Sequence, residues 1–340
     1  MKFSLLVVTT DRLHPAERLF RSLTAQSYRD FEVLFVHGKA YSAEALALVR
    51  KYAEALNVRA VPSSTPALSC ARNHALSLLN GDCIAFPDDD CVYCPDTLAN
   101  IFTLFKAHSE VDVLLAAGQD LRADIEEKSK VKGRPEQARE RTFPPMQEDD
   151  PRMQRETNDA GKSRVKGRPE QAQGRTLYSR ESISNRVQGS DLRVVNRFSA
   201  FRRSETFLQF YRRRCVEAVG PFDETLGPGT GLPYGCGEDT DYVLRALAAG
   251  FGVYRAPSVV VLHPAALACD PPPARKVRAY AAGRMRLLRK HGLPPWFVLA
   301  NIVWPLLCVP GECLRACRTV VHFRWGMFRA RLSSCPGAAG

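Results

Sequence analysis

The regular alternation of two patterns over the first 120 residues restricts the fold more than any other feature of this sequence. Short apolar runs of strand length occur at 3–8, 31–36, 58–61, 83–86 and 111–116. Stretches with the apolar spacing of amphipathic helices lie between them, at 15–26, 43–56 and 67–79. Repeated strand–helix–strand units predict an α/β fold, a Rossmann-like and mostly parallel sheet flanked by helices.

This pattern stops at residue 122. Residues 122–184 contain few apolar side chains, and a charged segment at 128–142 returns almost unchanged at 162–176. So little apolar surface cannot offset the entropy cost of ordering the chain. We therefore expect a low-complexity, disordered insertion, which the fold tolerates because each doubling of loop length costs only about 0.6 kcal/mol.

Regular patterns resume after the insertion. They predict a strand at 207–211, helices at 213–219 and 239–249, and strands at 251–254 and 259–262. The predicted organisation is a first half at 1–121, the insertion at 122–184, a second half at 185–270 and a C-terminal tail at 271–340.

The C-terminal tail is strongly basic. The chain has a net charge of +12, and residues 271–340 hold twelve Lys and Arg against one acid, Glu312, a balance of +11. A predicted basic amphipathic helix at 276–291 precedes an apolar stretch at 296–310, which Asn301 and Pro305 interrupt. This stretch is shorter than the roughly 20 residues that span a bilayer.

Basic residues next to an apolar, Trp-bearing segment favour association with an anionic membrane surface. The alternative is a buried terminal helix with a solvated basic face. Nucleic acid is not expected as a partner, because no recognised binding module accompanies the charge. The apolar N-terminus is too short for a signal peptide, and the eleven cysteines show no disulfide framework. A cytoplasmic protein, peripheral on the inner face of the cell membrane, is the prediction.

Three adjacent carboxylates, Asp88, Asp89 and Asp90, follow the apolar run that ends at Phe86. They repel one another, so a positive group is expected beside them. A divalent cation such as Mn²⁺ or Mg²⁺ prefers carboxylate oxygen and is often shared with a phosphorylated substrate. Ligands of open α/β sheets gather at the carboxyl ends of strands. Acidic triplets also occur as turns and helix caps, which is the alternative interpretation.

A second acidic group, Glu238, Asp239 and Asp241, lies at the start of the predicted helix at 239–249. Carboxylates in a first helical turn interact favourably with the helix dipole, which alone explains acids there. The glycine-rich segment at 226–237 before them favours a pocket wall. One acidic group could hold a metal and a diphosphate while the other accepts a proton from a hydroxyl.

At this point the chain resembles the family 2 glycosyltransferases with the GT-A fold, of the bacterial envelope polysaccharide type. The resemblance runs through SLLVVTTDR near the N-terminus, LSCARNHALSLLNGDCIAFPDDDC at 68–91, the segment 216–254 and PSVVVLHP at 257–264. The segment 275–292 is also similar to bacterial members.

The resemblance implies roles for individual residues. Asp88 and Asp90 match the family's D-x-D motif, in which the first acid meets the ribose and the second the metal. Arg72 matches a residue of the nucleotide pocket. Asp239 matches the catalytic base, with Glu238 as its neighbour. The remaining expected members of the site are His263 at the metal and Thr9, Asp11 and Asp89 in the donor pocket.

The function that this resemblance implies is that of an inverting, metal-dependent glycosyltransferase. It would move a sugar from a nucleotide-diphosphate donor to a hydroxyl of a lipid-linked or cell-envelope glycan. One alternative is an inactive scaffold that binds a membrane surface. Another is a sugar-nucleotide nucleotidyltransferase, although residues 9–15 lack its glycine-rich phosphate loop.

Overall fold

A computed structural model describes residues 1–9, 13–121, 191–202, 204–264, 273–307 and 318–334, with side chains in the last range from 324 onward. Asp11 and the 122–184 segment that we predict to be disordered lie outside the described residues.

The described strands are β1 Phe3–Thr9, β2 Phe31–Gly38, β3 Val58–Ser63, β4 Cys83–Ala85, β5 Val92–Tyr93, β6 Val113–Asp120, β7 Arg193–Val194, β8 Gln209–Arg212 and β9 Val253–His263. The described helices are α1 Leu13–Thr24, α2 Ser42–Tyr52, α3 Leu68–Leu76, α4 Thr97–Ala107, α5 Arg213–Val219, α6 Glu238–Ala248, α7 Ala274–Lys290, α8 Pro295–Leu307 and α9 Arg318–Ser333.

The strands that the structure describes form a single sheet in the order β3–β2–β1–β4–β8–β6–β9–β5, with β7 paired to β9. Strands β3, β2, β1 and β4 are parallel, as the sequence predicts. Strand β8 enters antiparallel between β4 and β6, and β6 then pairs parallel to β9. The predicted α/β sheet is therefore confirmed, and its second half is mixed because β8 runs against both of its neighbours.

The two strands predicted at 251–254 and 259–262 are one strand, β9. Its pairing with β6 shifts between Ala116, opposite Ala256, and Ala117, opposite Val260. Pro257 lies within this shift, where a missing N–H costs no ladder hydrogen bond. The sequence break at the proline is thus a β-bulge and not the end of a strand.

Two apolar layers cover the two faces of the sheet. Successive residues of β1 alternate between them, Leu5 into one layer and Leu6 into the other. Helices α1, α2 and α4 pack on the first layer, where α1 buries residues at helical spacing from Ala16 to Leu23. Helices α3, α5, α6 and α7 pack on the second. The molecule is a three-layer α/β/α sandwich whose central strands are buried on both faces.

The last helices differ in how they meet this core. Helix α7 buries Met285, Leu287 and Leu288 in the second layer and keeps a basic outer face. Helix α8 leaves large apolar side chains exposed, with Leu299 at 60% and Leu307 at 64% exposure. None of the described helices has the length and apolarity required to cross a bilayer.

Candidate active site

The strand register carries the three aspartates to the carboxyl end of β1. Phe3 pairs with Cys83 and Leu5 with Ala85, and the same register continues to an isolated parallel bridge between Val8 and Asp88. The acidic segment that follows β4 therefore runs beside the end of β1 in the middle of the sheet. This is the place where open α/β folds collect their ligands.

Asp88, Asp90 and His263 form a group that could hold a metal ion. One potential ligand atom from each lies within 4.8 Å of the others. His263 ends β9, and its Nε2 atom is 3.0 Å from Asp90 Oδ1 and 3.9 Å from Asp88 Oδ2. Two carboxylates and an imidazole fit Mn²⁺ or Mg²⁺, which fill their remaining positions with water or phosphate oxygen.

The histidine ring is held in place by stacking. Its centroid is 4.5 Å from that of Phe207, with an angle of 15° between the rings. Burial lowers the pKa of His263, but the hydrogen bond that the ring donates to Asp90 and the charges of Asp90 and Asp88 outweigh burial and raise it overall. The sequence predicted only a strand at Phe207. No pattern in the neighbouring residues indicated that its ring would stack on His263.

Asp89 makes a different contact, to the end of β1. Its Oδ2 atom accepts a 2.6 Å hydrogen bond from Thr9 Oγ1, and both side chains are buried. The bond ties the acidic segment to the end of β1. The backbone carbonyl of Asp90 accepts a further hydrogen bond from Arg18 on α1, at 3.2 Å. The role of Thr9 and Asp89 in donor binding stays a prediction.

Arg72 lies between the two acidic groups. This α3 side chain is 2% exposed, and its guanidinium is 3.6 Å from Asp88 and 4.0 Å from Glu238. It also lies over the Phe222 ring, at 5.3 Å from the ring centroid. A buried guanidinium requires compensating charge, which the two carboxylates supply. The structure thus joins residues that are 16 and 166 positions away from Arg72 along the chain.

Glu238 and Asp239 begin α6, as the sequence predicts. Gly237 caps the helix with a φ of 109°, and a Cβ at this position would lie 2.8 Å from Leu287, so glycine is required there. Burial raises the pKa of Glu238 despite the opposing charge of Arg72. Burial, with the adjacent Glu238 carboxylate, raises the pKa of Asp239 to about 8.

Asp239 lines a small cavity of about 190 Å³. Its walls include Glu205, Thr240 and Arg284. The carboxylate is partly exposed, and Oδ1 accepts a 2.6 Å hydrogen bond from the backbone N–H of Thr240. A partly exposed carboxylate with a raised pKa beside a cavity is chemically suited to exchange a proton with a bound hydroxyl.

On α7, burial and the charges of Cys236, Glu238, Asp239 and Asp88 raise the pKa of Tyr280 to about 12. Its segment, 275–292, was part of the resemblance, but no role for the residue followed from the sequence. Neither Tyr280 nor Arg284 belongs to a sequence motif that would have indicated a place in the site.

Comparison with known proteins shows what the first half of the chain and its fold are similar to. Residues 4–160 match the family model described as glycosyl transferase family 2. No curated protein sequence matches the chain. Among solved structures, a mannosyltransferase from Pyrobaculum calidifontis, PcManGT, in complex with GDP-Man and Mn²⁺ is similar over 98% of this chain and 86% of its own, with 15% identity and a TM-score of 0.57.

TarS of S. aureus is similar over 95% of this chain, with 16% identity and a TM-score of 0.50. The chain spans 55% of the length of that TarS structure and 90% of a TarS fragment, residues 1–349, at the same identity and TM-score. At identities this low, the structural similarity shows a shared fold and nothing more. This fold is the GT-A fold expected from the motifs. The chain thus shares the GT-A fold of these structures, and residues 4–160, somewhat under half of its length, match glycosyl transferase family 2.

Proposed function

We propose that this chain is an inverting, metal-dependent glycosyltransferase. It transfers a sugar from a nucleotide-diphosphate donor to a hydroxyl of a lipid-linked or cell-envelope glycan. The observation that carries the proposal is the position of Arg72, which lies between a group suited to a metal, Asp88 with Asp90 and His263, and the Glu238–Asp239 pair beside a cavity.

The donor side of the site is the carboxyl edge of β1 and β4. Asp90 and His263 would hold the metal, and Asp88, Asp89, Arg72 and Thr9 would contact the nucleotide, together with Asp11. A bound Mn²⁺ or Mg²⁺ would offset negative charge on the departing diphosphate. The presence of GDP-Man and Mn²⁺ in the PcManGT structure supports this assignment for a shared fold.

Asp239 is the proposed base, with Glu238 beside it. The acceptor oxygen bonds to the anomeric carbon, and the bond from that carbon to the diphosphate oxygen breaks with its electron pair leaving on the diphosphate. The hydroxyl proton passes to the Asp239 carboxylate. Because the pKa of Asp239 is about 8, the transfer rate is expected to rise with pH up to that region.

The proposed location is the cytoplasmic face of an anionic membrane, with the protein bound peripherally. Exposed apolar side chains on α8, among them Trp296 and Trp304, lie beside the basic helix α7. This combination suits an anionic lipid surface. Nucleic acid is not expected as a partner.

Two substitutions test the proposed function. Asp90→Asn removes a metal ligand and is expected to abolish metal-dependent binding of the nucleotide sugar, measured by calorimetry with a panel of donors and Mn²⁺. Asp239→Asn is expected to keep donor binding but to lower transfer by about 10²- to 10⁴-fold, because it removes the general base.

Asp30→Asn is the matched control, since Asp30 is exposed and precedes β2 at the opposite edge of the sheet. It should behave like the wild type in both assays. Unchanged donor binding in Asp90→Asn together with unchanged transfer in Asp239→Asn would refute the proposal. An inactive scaffold would bind no donor in a metal-dependent way.

A further inference from the structure

The small cavity beside Asp239, called the Asp239 cavity below, is lined by two segments that are distant in the sequence. Ser204 and Glu205 belong to the segment that leads into β8, and Gly237, Asp239 and Thr240 belong to the start of α6. The distance between these two segments sets the space that a bound hydroxyl would have. Whatever holds the segments together therefore controls where the Asp239 carboxylate lies.

One buried amide joins the two segments. Gln209 on β8 is 0% exposed and is not among the described residues that line the cavity. Its Nε2 donates to the backbone carbonyl of Ser204 at 2.5 Å and to the backbone carbonyl of Asp239 at 3.3 Å. Because carbonyl oxygens can only accept, the amide nitrogen and not the amide oxygen must face them.

Tyr211 fixes the orientation of this amide. Tyr211 lies two residues further along β8, so its side chain is on the same face of the strand as that of Gln209. Its hydroxyl donates to Gln209 Oε1 at 2.7 Å. Tyr211 is completely buried, and burial raises its pKa well above the ordinary value, so the hydroxyl keeps its proton. The amide thus uses its oxygen for Tyr211 and its two hydrogens for the two cavity segments.

A pair of hydroxyl groups links the same segments a second time. Ser204 Oγ donates to the Ala200 carbonyl at 2.6 Å and lies 3.0 Å from Thr240 Oγ1. Since the one hydroxyl hydrogen of Ser204 is used for Ala200, Thr240 must be the donor in this second bond. The start of α6 is therefore tied to the segment before β8 at both Asp239 and Thr240.

The surroundings of the Asp239 carboxylate depend on this attachment. Burial is the largest cause of its raised pKa, to which the charges of Glu238 and Glu205 add, while Arg72 opposes them. Its own charge acts in turn on further titratable neighbours, which are Tyr211, Cys236, Tyr280 and Arg284. A shift of the segment that admits water to the carboxylate would bring its pKa back toward the ordinary value.

We propose that Gln209 is a positioning residue for Asp239. Its amide holds the start of α6 at a fixed distance from Ser204 and so keeps the Asp239 carboxylate at the cavity with little access to water. The part of this inference that rests on the proposed function is the role of Asp239 as a base.

Gln209→Met tests the inference without any ligand, because methionine has a similar length and no amide. Urea unfolding from pH 4 to pH 9 gives the free energy of unfolding with and without Asp239→Asn. The difference between the two grows as pH rises above the ordinary pKa of Asp and levels off once the folded carboxyl group has ionised, near pH 8 in the wild type. In the Gln209→Met chain this levelling pH is expected to fall by at least about one unit.

Gln26→Met is the matched control. Gln26 is 3% exposed, and its Nε2 likewise donates to two backbone carbonyls, those of Ser22 at 3.3 Å and Cys94 at 2.8 Å. It links the end of α1 to the segment before α4 and does not line the Asp239 cavity. Gln26→Met should therefore lower stability at every pH but leave the levelling pH near that of the wild type.

Tyr211→Phe serves if Gln209→Met does not fold, because it removes only the hydroxyl that orients the amide. It should lower the levelling pH by less than Gln209→Met does. The chain with both substitutions should behave like Gln209→Met alone, since residues of one hydrogen-bond network are not additive. An unchanged levelling pH in these variants, or an equal fall in Gln26→Met, would overturn the inference. So would a wild-type difference that already levels off near the ordinary pKa of Asp.

Steady-state transfer, with Mn²⁺ and the nucleotide sugar that the donor panel selects, separates this inference from the proposed function. Gln209→Met is expected to lower kcat about 10- to 100-fold at an unchanged KM for the donor, because it displaces the base and not the donor group. A chain that transfers sugar but keeps its levelling pH in Gln209→Met would overturn the inference alone. A lowered levelling pH in a chain without transfer activity would overturn the proposed function and keep the role of Gln209.

Discussion

The two acidic groups that meet at Arg72 are held by different kinds of structure. Asp88 and Asp90 follow a short strand, and the register of β1 with β4 determines where they lie. Glu238 and Asp239 begin a helix most of whose side chains are buried, and Glu238 lies 4.0 Å from Arg72. The first group is positioned by backbone pairing and the second by side-chain packing, so the two should respond differently to mutation.

Removal of Arg72, whose charge is shared by the two acidic groups, is expected to have the largest effect on stability. Arg72→Met would leave Glu238 buried without its opposite charge, and breaking a buried pair typically costs about 3–5 kcal/mol. Because Asp88 is 34% exposed and the contacts are 3.6 and 4.0 Å long, we expect the lower end, about 3 kcal/mol. Urea unfolding measures this change in the free energy of unfolding.

The control for this experiment is Arg50→Met, on an exposed position of α2. It should change the free energy of unfolding by less than about 0.5 kcal/mol. A similar loss in both variants would show that Arg72 does not link the two groups energetically.

The next largest effect is expected in the pH dependence of stability, which should reveal the Glu238–Asp239 pair at the start of α6. The pKa of Asp239 is about 8 in the folded chain and near 3.8 ordinarily, so the folded state keeps a proton that the unfolded state has lost between these values. Stability therefore falls as pH rises through this window. Asp239→Asn removes this dependence. The free energy of unfolding of the variant should therefore rise relative to that of the wild type by about 1–2 kcal/mol between pH 4 and pH 8.5. This figure is discounted for solvent screening because the side chain is partly exposed.

Urea unfolding of both proteins at pH 4, 6 and 8.5 measures this difference. Asp30→Asn, which removes an exposed carboxylate, should run parallel to the wild type across the range. If Asp239→Asn also runs parallel, packing does not hold this carboxyl group in its protonated form, and the contrast between the two acidic groups fails.

The smallest effect is expected at the exposed face of α8, outside both groups. The double substitution Leu299→Ser and Leu307→Ser removes two apolar side chains that are at least 60% exposed and do not line the Asp239 cavity. Partition onto vesicles that contain phosphatidylglycerol should fall about three- to tenfold, or about 1 kcal/mol. A sedimentation assay measures it.

Leu46→Ser with Leu78→Ser provides the matched pair, since both leucines are exposed elsewhere on the fold. This pair should not change partition. Equal losses in the two double variants would contradict a membrane-binding role for α8.

Much of the donor side could be predicted because it follows from local patterns. The alternation of strands and helices predicted the parallel half of the sheet, and the apolar run before Asp88 predicted acids at a strand end. The start of α6 and the acids in its first turn were equally predictable from helix signals. The bulge of β9 and the antiparallel entry of β8 were not, because both depend on which strands become neighbours.

The sequence by itself determined that carboxylates would stand at the edge of an α/β sheet, since strand pairing and helix initiation act over a few residues. Only the tertiary structure decided that Arg72 would lie between Asp88 and Glu238. These contacts join residues far apart in the chain, and their geometry comes from how helices pack on the sheet, which no local pattern encodes.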